Sequence, residues 1–215
     1  MLLSGGIDSA TCVYLAKKRY LTCALTFSFH GIAEGELRAA KAVAKVAEVE
    51  EHRLMRLPDL RESGDIGLRF KGLPATYIPM RNAVFYSLAA SFAEEVGADF
   101  IVGGHNRDDT AVFRDSRKAF FECLEESFRA GSEALEERHL SILRPLNSKT
   151  KPQVIRLAAS LGVPFQLTWS CHRSGTAHCW KCEGCLGRVK SFVGAGTPDP
   201  LRAGSYRGKF LKASA

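Results

Sequence analysis

The first nine residues, Met1-Leu2-Leu3-Ser4-Gly5-Gly6-Ile7-Asp8-Ser9, constrain the fold more than any other stretch. An apolar strand end runs straight into Ser-Gly-Gly and then into a helix-compatible segment, Ile7 to Lys18. Two glycines let backbone approach a bound group closely and adopt turns that other residues resist. The helix start behind them presents unpaired N–H groups and the positive end of a dipole, so an anion belongs there. Ser4 and Ser9 add hydroxyl donors, and Asp8 is placed to hold a Mg²⁺ that bridges phosphate oxygens. The Gly-Lys-Ser/Thr of a Walker loop is absent. The competing reading is a glycine-rich turn without a ligand. So little strand precedes the loop that a true start a few residues upstream is expected.

The rest of the chain repeats the strand-then-helix alternation. Leu21 to Phe29 reads as a strand, Glu34 to Val49 as an amphipathic helix, and His52 to Leu57 as a short strand. Pro58 to Gly72 reads as a loop lying over the site. A long helix is expected from Arg81 to Val96, then a buried strand Phe100 to Val102 ending in Gly103-Gly104. The polar cluster His105 to Asp109 follows, and a helix from Asp115 to Ala130. After the strand Leu140 to Leu143, Thr150 reads as the N-cap of a helix with Pro152 in its first turn, ending at Leu161-Gly162. Such alternation predicts a doubly wound parallel sheet of about five strands. Two parts are expected: 1–165 as an α/β domain built around the glycine-rich loop and 166–215 as a C-terminal four-cysteine appendage.

Seven cysteines lie in a 215-residue chain. Cys12, Cys23 and Cys123 sit singly among apolar neighbours and read as small core residues. The other four form Cys171-x7-Cys179-x2-Cys182-x2-Cys185. Two-residue spacings let thiolates converge from a tight turn, and four of them complete the tetrahedral shell of Zn²⁺ with no open position. The reading is a structural zinc site, with free thiols, an iron–sulfur cluster or a redox role as the alternatives.

No apolar run approaches the ~20 residues that span a bilayer, and no cationic-then-apolar leader is present. The chain is therefore expected in the cytoplasm. Its formal charge of +7 is scattered, apart from an acid-free tail, Leu201 to Ala215, with Arg202, Arg207, Lys209 and Lys212. Anionic small substrates answer that charge as well as nucleic acid does, and no nucleic-acid module accompanies it, so direct nucleic-acid binding is not expected.

Taken in order, several motifs make the chain resemble the 7-cyano-7-deazaguanine synthase (QueC) family of PP-loop ATP pyrophosphatases. They are Ser4-Gly5-Gly6-Ile7-Asp8-Ser9, Tyr77-Ile78-Pro79-Met80-Arg81-Asn82 and Leu167-Thr168-Trp169-Ser170-Cys171, followed by the four-cysteine spacing and Asp199-Pro200-Leu201. The resemblance implies the PP-loop, adenine-nucleotide alpha-hydrolase-like fold. It also implies ATP-dependent conversion of 7-carboxy-7-deazaguanine and ammonia into the nitrile, a precursor of queuosine and archaeosine, through adenylated carboxylate and amide. It implies that Leu3, Ser4, Gly5, Gly6, Ile7, Asp8, Ser9, Ala10 and Gly103 hold ATP with Mg²⁺. Asp8, Ser9, Arg81 and Lys151 then act on the phosphates or the substrate carboxylate. His30, Asp109, Asp115 and Arg117 fall on the substrate side, and Cys171, Cys179, Cys182 and Cys185 hold Zn²⁺. A homodimer is implied as well.

Two stretches depart from the family pattern. His30-Gly31-Ile32-Ala33-Glu34 stands where the family commonly reads Tyr-Gly-Gln-Arg-His. Asp109-Thr110-Ala111-Val112-Phe113-Arg114-Asp115-Ser116-Arg117 replaces Asp-Tyr-Ser-Gly-Tyr-Pro-Asp-Cys-Arg. Asp109 and Asp115 alternatively read as a solvated acidic turn and a helix N-cap. The alternatives in function are a divergent enzyme adenylating another carboxylate, a tRNA-thiolating PP-loop enzyme, and a zinc-stabilised nucleotide sensor without catalysis.

Overall fold

The computed structural model describes residues 1–75, 77–135 and 138–202. The basic residues Arg207, Lys209 and Lys212 lie outside them. Four strands are regular: β1 (Cys23–Phe29), β2 (Glu51–Leu57), β3 (Phe100–Val102) and β4 (Ser141–Leu143). They form two parallel pairs, β1 with β2 and β3 with β4. The N-terminal residues join the pairs. Leu3 N–H donates to Leu25 O (2.9 Å), Leu25 N–H to Met1 O (2.8 Å) and Leu2 N–H to Val102 O (3.0 Å). The order across the molecule is thus β2, β1, residues 1–3, β3, β4. The glycine-rich loop, Ser4 to Ser9, leaves the middle position, beside the point where connections turn from one side to the other, which is where open α/β sheets bind ligands.

Among the described residues seven α-helices accompany the strands: α1 (Ile7–Ala16), α2 (Glu34–Ala47), α3 (Arg81–Glu95), α4 (Arg107–Val112), α5 (Lys118–Gly131), α6 (Lys151–Ser160) and α7 (Glu183–Ala195). They divide between the two faces. Leu3 and Ala24 pack with Val13, Val43, Ile155 and Phe192 from α1, α2, α6 and α7. Leu25, Phe27 and Ile101 pack with Tyr86, Phe92 and Phe121 from α3 and α5. The alternation of Ala24 against Leu25 follows from the two-residue period of a strand with both faces covered.

Thr150 caps α6 as expected, in a capping box with Gln153 and with proline in the first turn. Three expectations are corrected. The Asp115 helix begins later: Arg114–Ser116 is a 3-10 turn, Arg117 is the capping residue, and α5 starts at Lys118. Cys123 is exposed on α5 rather than in the core, while Cys12 is buried. No residue between Pro58 and Gly72 lines the central cleft. Among the described residues no helix is long and apolar enough to cross a membrane.

Candidate active site

The loop is shaped by what its glycines touch. Gly5 has a positive φ of 79°, and a Cβ there would run into Glu36 O and the Ala40 amide of α2. Gly6 occupies the N-cap of α1 without a side-chain cap, so the first amides of the helix keep their donors. Ser9 Oγ accepts from Ser4 N–H (3.2 Å) and donates to Gly6 O (3.0 Å), closing the turn on itself. Gly104 lies against it, where a Cβ would press on the backbone of Asp8 and Ser9.

Asp8 is the centre of a charged knot. Its Oδ2 accepts from Lys151 Nζ, at the start of α6, and from Asn106 Nδ2 (3.2 Å). Asn106, fully buried, also donates to Asp109 Oδ2 (2.7 Å) and caps α4 in a reciprocal box with Asp109. Burial alone would pull the Lys151 ammonium down, but the Asp8, Asp109 and Asp108 carboxylates hold it above its ordinary value. Burial raises Asp109, against the opposing pull of Lys151. Asp8 Oδ1 is buried and without a hydrogen-bond partner among the described residues. An orphaned carboxylate oxygen beside an uncapped helix start fits a hard divalent cation.

These groups border a cleft of about 500 Å³. Its floor is aromatic, with Phe27 and Phe85 stacked at 4.3 Å and Phe29 beside them. A planar ring fits such a surface. Arg81 opens α3 and points its charge along the same cleft, with its guanidinium 5.9 Å from the Phe85 ring centroid. His105 Nε2 is 3.0 Å from Tyr86 Oη. Burial, helped by Arg81 and Arg144, brings His105 down to about 4, so it is neutral near pH 7.

The far wall comes from the C-terminal segment. Trp169 N–H donates to Gly5 O (2.9 Å), and its ring lies on Gly35, where a Cβ would overlap it. Arg188 of α7, wholly buried, grips Asp199 through Nε (2.6 Å) and a second nitrogen (2.9 Å) and donates to Thr168 Oγ1 (2.9 Å). Beyond Trp169, the ligand atoms of Cys171, Cys179, Cys182 and Cys185 all lie within 4.8 Å of one another. The Sγ separations include 3.9 Å for Cys179–Cys185 and 3.8 Å for Cys182–Cys171. A tetrahedron with Zn–S bonds of ~2.3 Å has edges of ~3.8 Å, so the four sulfurs fit that ion. Amides of Lys181 and Cys182 donate to Cys179 Sγ and pull its thiol down to about 6, toward the thiolate a metal requires.

Of the residues singled out from sequence, Leu3, Ser4, Gly6, Ile7, Asp8, Ser9, Arg81, Gly103 and Lys151 line the cleft. Gly5, in the loop itself, and Ala10, on α1, are buried and do not line the cleft. His30 is exposed after β1, and Asp109, Asp115 and Arg117 do not line the cleft. Asp115 offers its backbone carbonyl to Asn82 Nδ2 (3.0 Å), and the Arg117 side chain turns back to Thr110 O (3.4 Å). Sequence reasoning missed Asn106 and Glu36. The Asn-x-x-Asp of a capping box was available for the first; nothing local marks the second.

A protein-family model described as queuosine biosynthesis protein QueC matches residues 1–196. The 7-cyano-7-deazaguanine synthase of Nostoc punctiforme is 34% identical over 218 residues, covering 94% of this chain and 97% of that protein. The synthase of Thermoplasma acidophilum is 34% identical over 220 residues, covering 96% and 92%. Among solved structures the chain is similar to NMN synthetase from Francisella tularensis, with a TM-score of 0.50 and 17% identity, over 92% of this chain and 76% of that one. It is also similar to a predicted subunit of tRNA methyltransferase from Methanocaldococcus jannaschii, with a TM-score of 0.50 and 21% identity, over 74% and 72%. These two likenesses speak for the fold alone.

Proposed function

The chain belongs to the family of queuosine biosynthesis protein QueC, and from that premise we propose that it is a carbon–nitrogen ligase of queuosine precursor biosynthesis. It uses ATP and ammonia to convert 7-carboxy-7-deazaguanine into 7-cyano-7-deazaguanine. The observation that carries this reading is the Asp8–Lys151 knot beside uncapped helix amides, opening onto a cleft with an aromatic floor. A carboxylate is a poor electrophile, and transfer of AMP to its oxygen supplies a leaving group. Charge then grows on pyrophosphate, where the Ser4, Gly5, Gly6 and Ser9 turn and the Lys151 ammonium stabilise it. Arg81 orients the substrate carboxylate or a phosphate oxygen. Asp8 Oδ1 would hold Mg²⁺, which supplies further charge stabilisation when bound. The four cysteines would hold Zn²⁺ structurally. In this reading residues 1–165 form the ATP-binding domain, 166–215 the zinc-binding segment, and the enzyme is a cytoplasmic homodimer acting on free small molecules without binding nucleic acid.

The altered substrate side favours one second reading, a ligase for another carboxylate. His30 is exposed, and Asp109 is spent on capping α4. Mass spectrometry of a reaction with ATP, Mg²⁺, ammonium and 7-carboxy-7-deazaguanine separates the two, with a Ser4→Ala, Asp8→Ala double variant as control. Nitrile with AMP, absent from the control, is expected. Amide alone would assign the second activation elsewhere. No product despite ATP binding would transfer the assignment to another carboxylate.

A further inference from the structure

Glu36 is the acidic group in the cleft that the reaction above leaves unused. It lies in the first turn of α2, half-buried, with its carbonyl against Gly5 of the phosphate loop. The next wall is Trp169, whose ring covers the adjacent Gly35. Its side chain lines the cleft and makes no hydrogen bond or ion pair among the described residues. The other charged or titratable groups along the cleft are Asp8, Arg81, Tyr86, His105, Lys151, His172 and Arg188. Asp8 is committed to Lys151 and Asn106, and Arg188 to Asp199. His105 is tied to Tyr86, and His172 follows the first cysteine of the metal cluster. The two remaining groups, Arg81 and Lys151, are cations. Among the described residues Glu36 is thus the one carboxylate of the cleft without a hydrogen-bonded partner, and it lies within reach of the Arg81 charge.

We propose that Glu36 is the base that receives the protons of the attacking nitrogen. The proposal rests on the acyl-adenylate reading above. At neutral pH ammonia is mostly ammonium, which has no lone pair to attack with. A carboxylate in a partly desolvated cleft attracts that cation and takes one proton from it. The freed lone pair forms the C–N bond to the acyl carbon, the C–O bond to AMP breaks, and its electron pair leaves on the phosphate oxygen. The surplus proton on the new amide nitrogen follows through Glu36 to water. In the second half the amide oxygen attacks ATP and displaces pyrophosphate. Both N–H protons then leave as the C–O bond to AMP breaks and the C≡N bond forms. One base facing the nitrogen serves both halves. Protonated Glu36 is neutral, so it does not repel the adenylate phosphate at the moment of attack.

Burial raises Glu36 to about 7, with Arg81 opposing, which matches a base working near neutral pH. The experiment compares wild type, Glu36→Gln and Glu36→Asp with two nucleophiles, ammonium and hydroxylamine. Hydroxylamine is neutral near pH 7, so its lone pair is free without a base, and the surplus proton it carries after attack is acidic enough to pass to water. Glu36→Gln is expected to lower kcat/KM for ammonium by roughly 10²–10⁴-fold while still forming hydroxamate. Glu36→Asp should recover part of the ammonia reaction. The wild-type rate should fall below about pH 7; in Glu36→Gln that limb should vanish and the rate follow free ammonia. Equal loss with both nucleophiles would overturn the proposal in favour of a structural or acid-binding role. Undiminished use of ammonium by Glu36→Gln would overturn it outright. Acid-dependent exchange of pyrophosphate into ATP by wild type is the separate arm: its absence would overturn the adenylate reading and the proposal with it.

Discussion

The two walls of the cleft are built on different principles. The inner wall is the sheet's own end: residues 1–3 are hydrogen-bonded into the strands, the loop closes through Ser4 and Ser9, and Lys151 arrives from a capped helix. The outer wall, from Thr168 to Arg188, reaches α7 through bends and turns without regular structure. It is pinned by a buried ion pair at one end and four thiols at the other. Yet the outer wall reaches into the loop through the Trp169 amide on Gly5 O. Geometry that local backbone supplies on one side must be supplied by side chains on the other, four of them placed so that they could hold a metal.

The sharpest way to break the contrast is to remove the pin. Asp199→Ala leaves the Arg188 guanidinium, with both side chains of the pair at 0% exposure, buried without its counter-charge. Breaking such a pair costs roughly 3–5 kcal/mol, to be read from urea unfolding. An Arg188→Met, Asp199→Leu double variant should recover much of it, because the uncompensated charge is gone. A loss below about 1 kcal/mol, the scale of an exposed pair, would show that the outer wall is held otherwise. On the inner wall, Lys151→Ala should leave stability nearly intact and lower kcat/KM by roughly 10²–10³-fold, the cost of losing one preorganised charge donor. A collapse of stability instead would make the knot structural.

The inner wall also carries a pH test. His105 is held near 4 when folded, below the 6.5 of an open histidine. The unfolded chain binds a proton that the folded one refuses. Its contribution is therefore full above about 6.5 and is lost as pH falls toward 4, by at most roughly 3 kcal/mol. His105→Gln, which can still meet Tyr86, should flatten that part of the stability profile. An unchanged difference between wild type and variant across this range would mean His105 titrates normally.

What the sequence revealed follows the same division. The glycine-rich turn into α1 and the convergence of the four cysteines were legible because each is encoded within a few residues. The role of Asp109 was not. It sits on a six-residue helix, too short for periodicity, and its carboxylate is taken by Asn106, three residues away. Asp115 reads locally as a cap, but the chain spends it in a 3-10 turn before α5. Glu36 becomes distinctive only because α2 brings it against Gly5 and near Arg81, contacts between elements that no local pattern records. Arg188 and Asp199, eleven residues apart, likewise declare themselves only when both are buried.

The smallest expected effect tests whether the walls are coupled at all. Stripping metal with a chelator should loosen Cys171 and, through it, Trp169, whose indole N–H donates to Cys171 O (2.6 Å). Thr168 stays anchored to Arg188, so the outer wall frays without detaching. What the inner wall loses is one hydrogen bond to Gly5 O, worth about 0.5–1.5 kcal/mol. ATP affinity should therefore fall by up to about tenfold, with helix and sheet content kept. Substituting Cys182→Ser should mimic the chelator, and restoring Zn²⁺ should reverse the effect in wild type alone. Unchanged ATP affinity in the stripped protein would mean that the loop keeps its shape without Trp169. Complete loss would mean that the outer wall carries part of the nucleotide site itself.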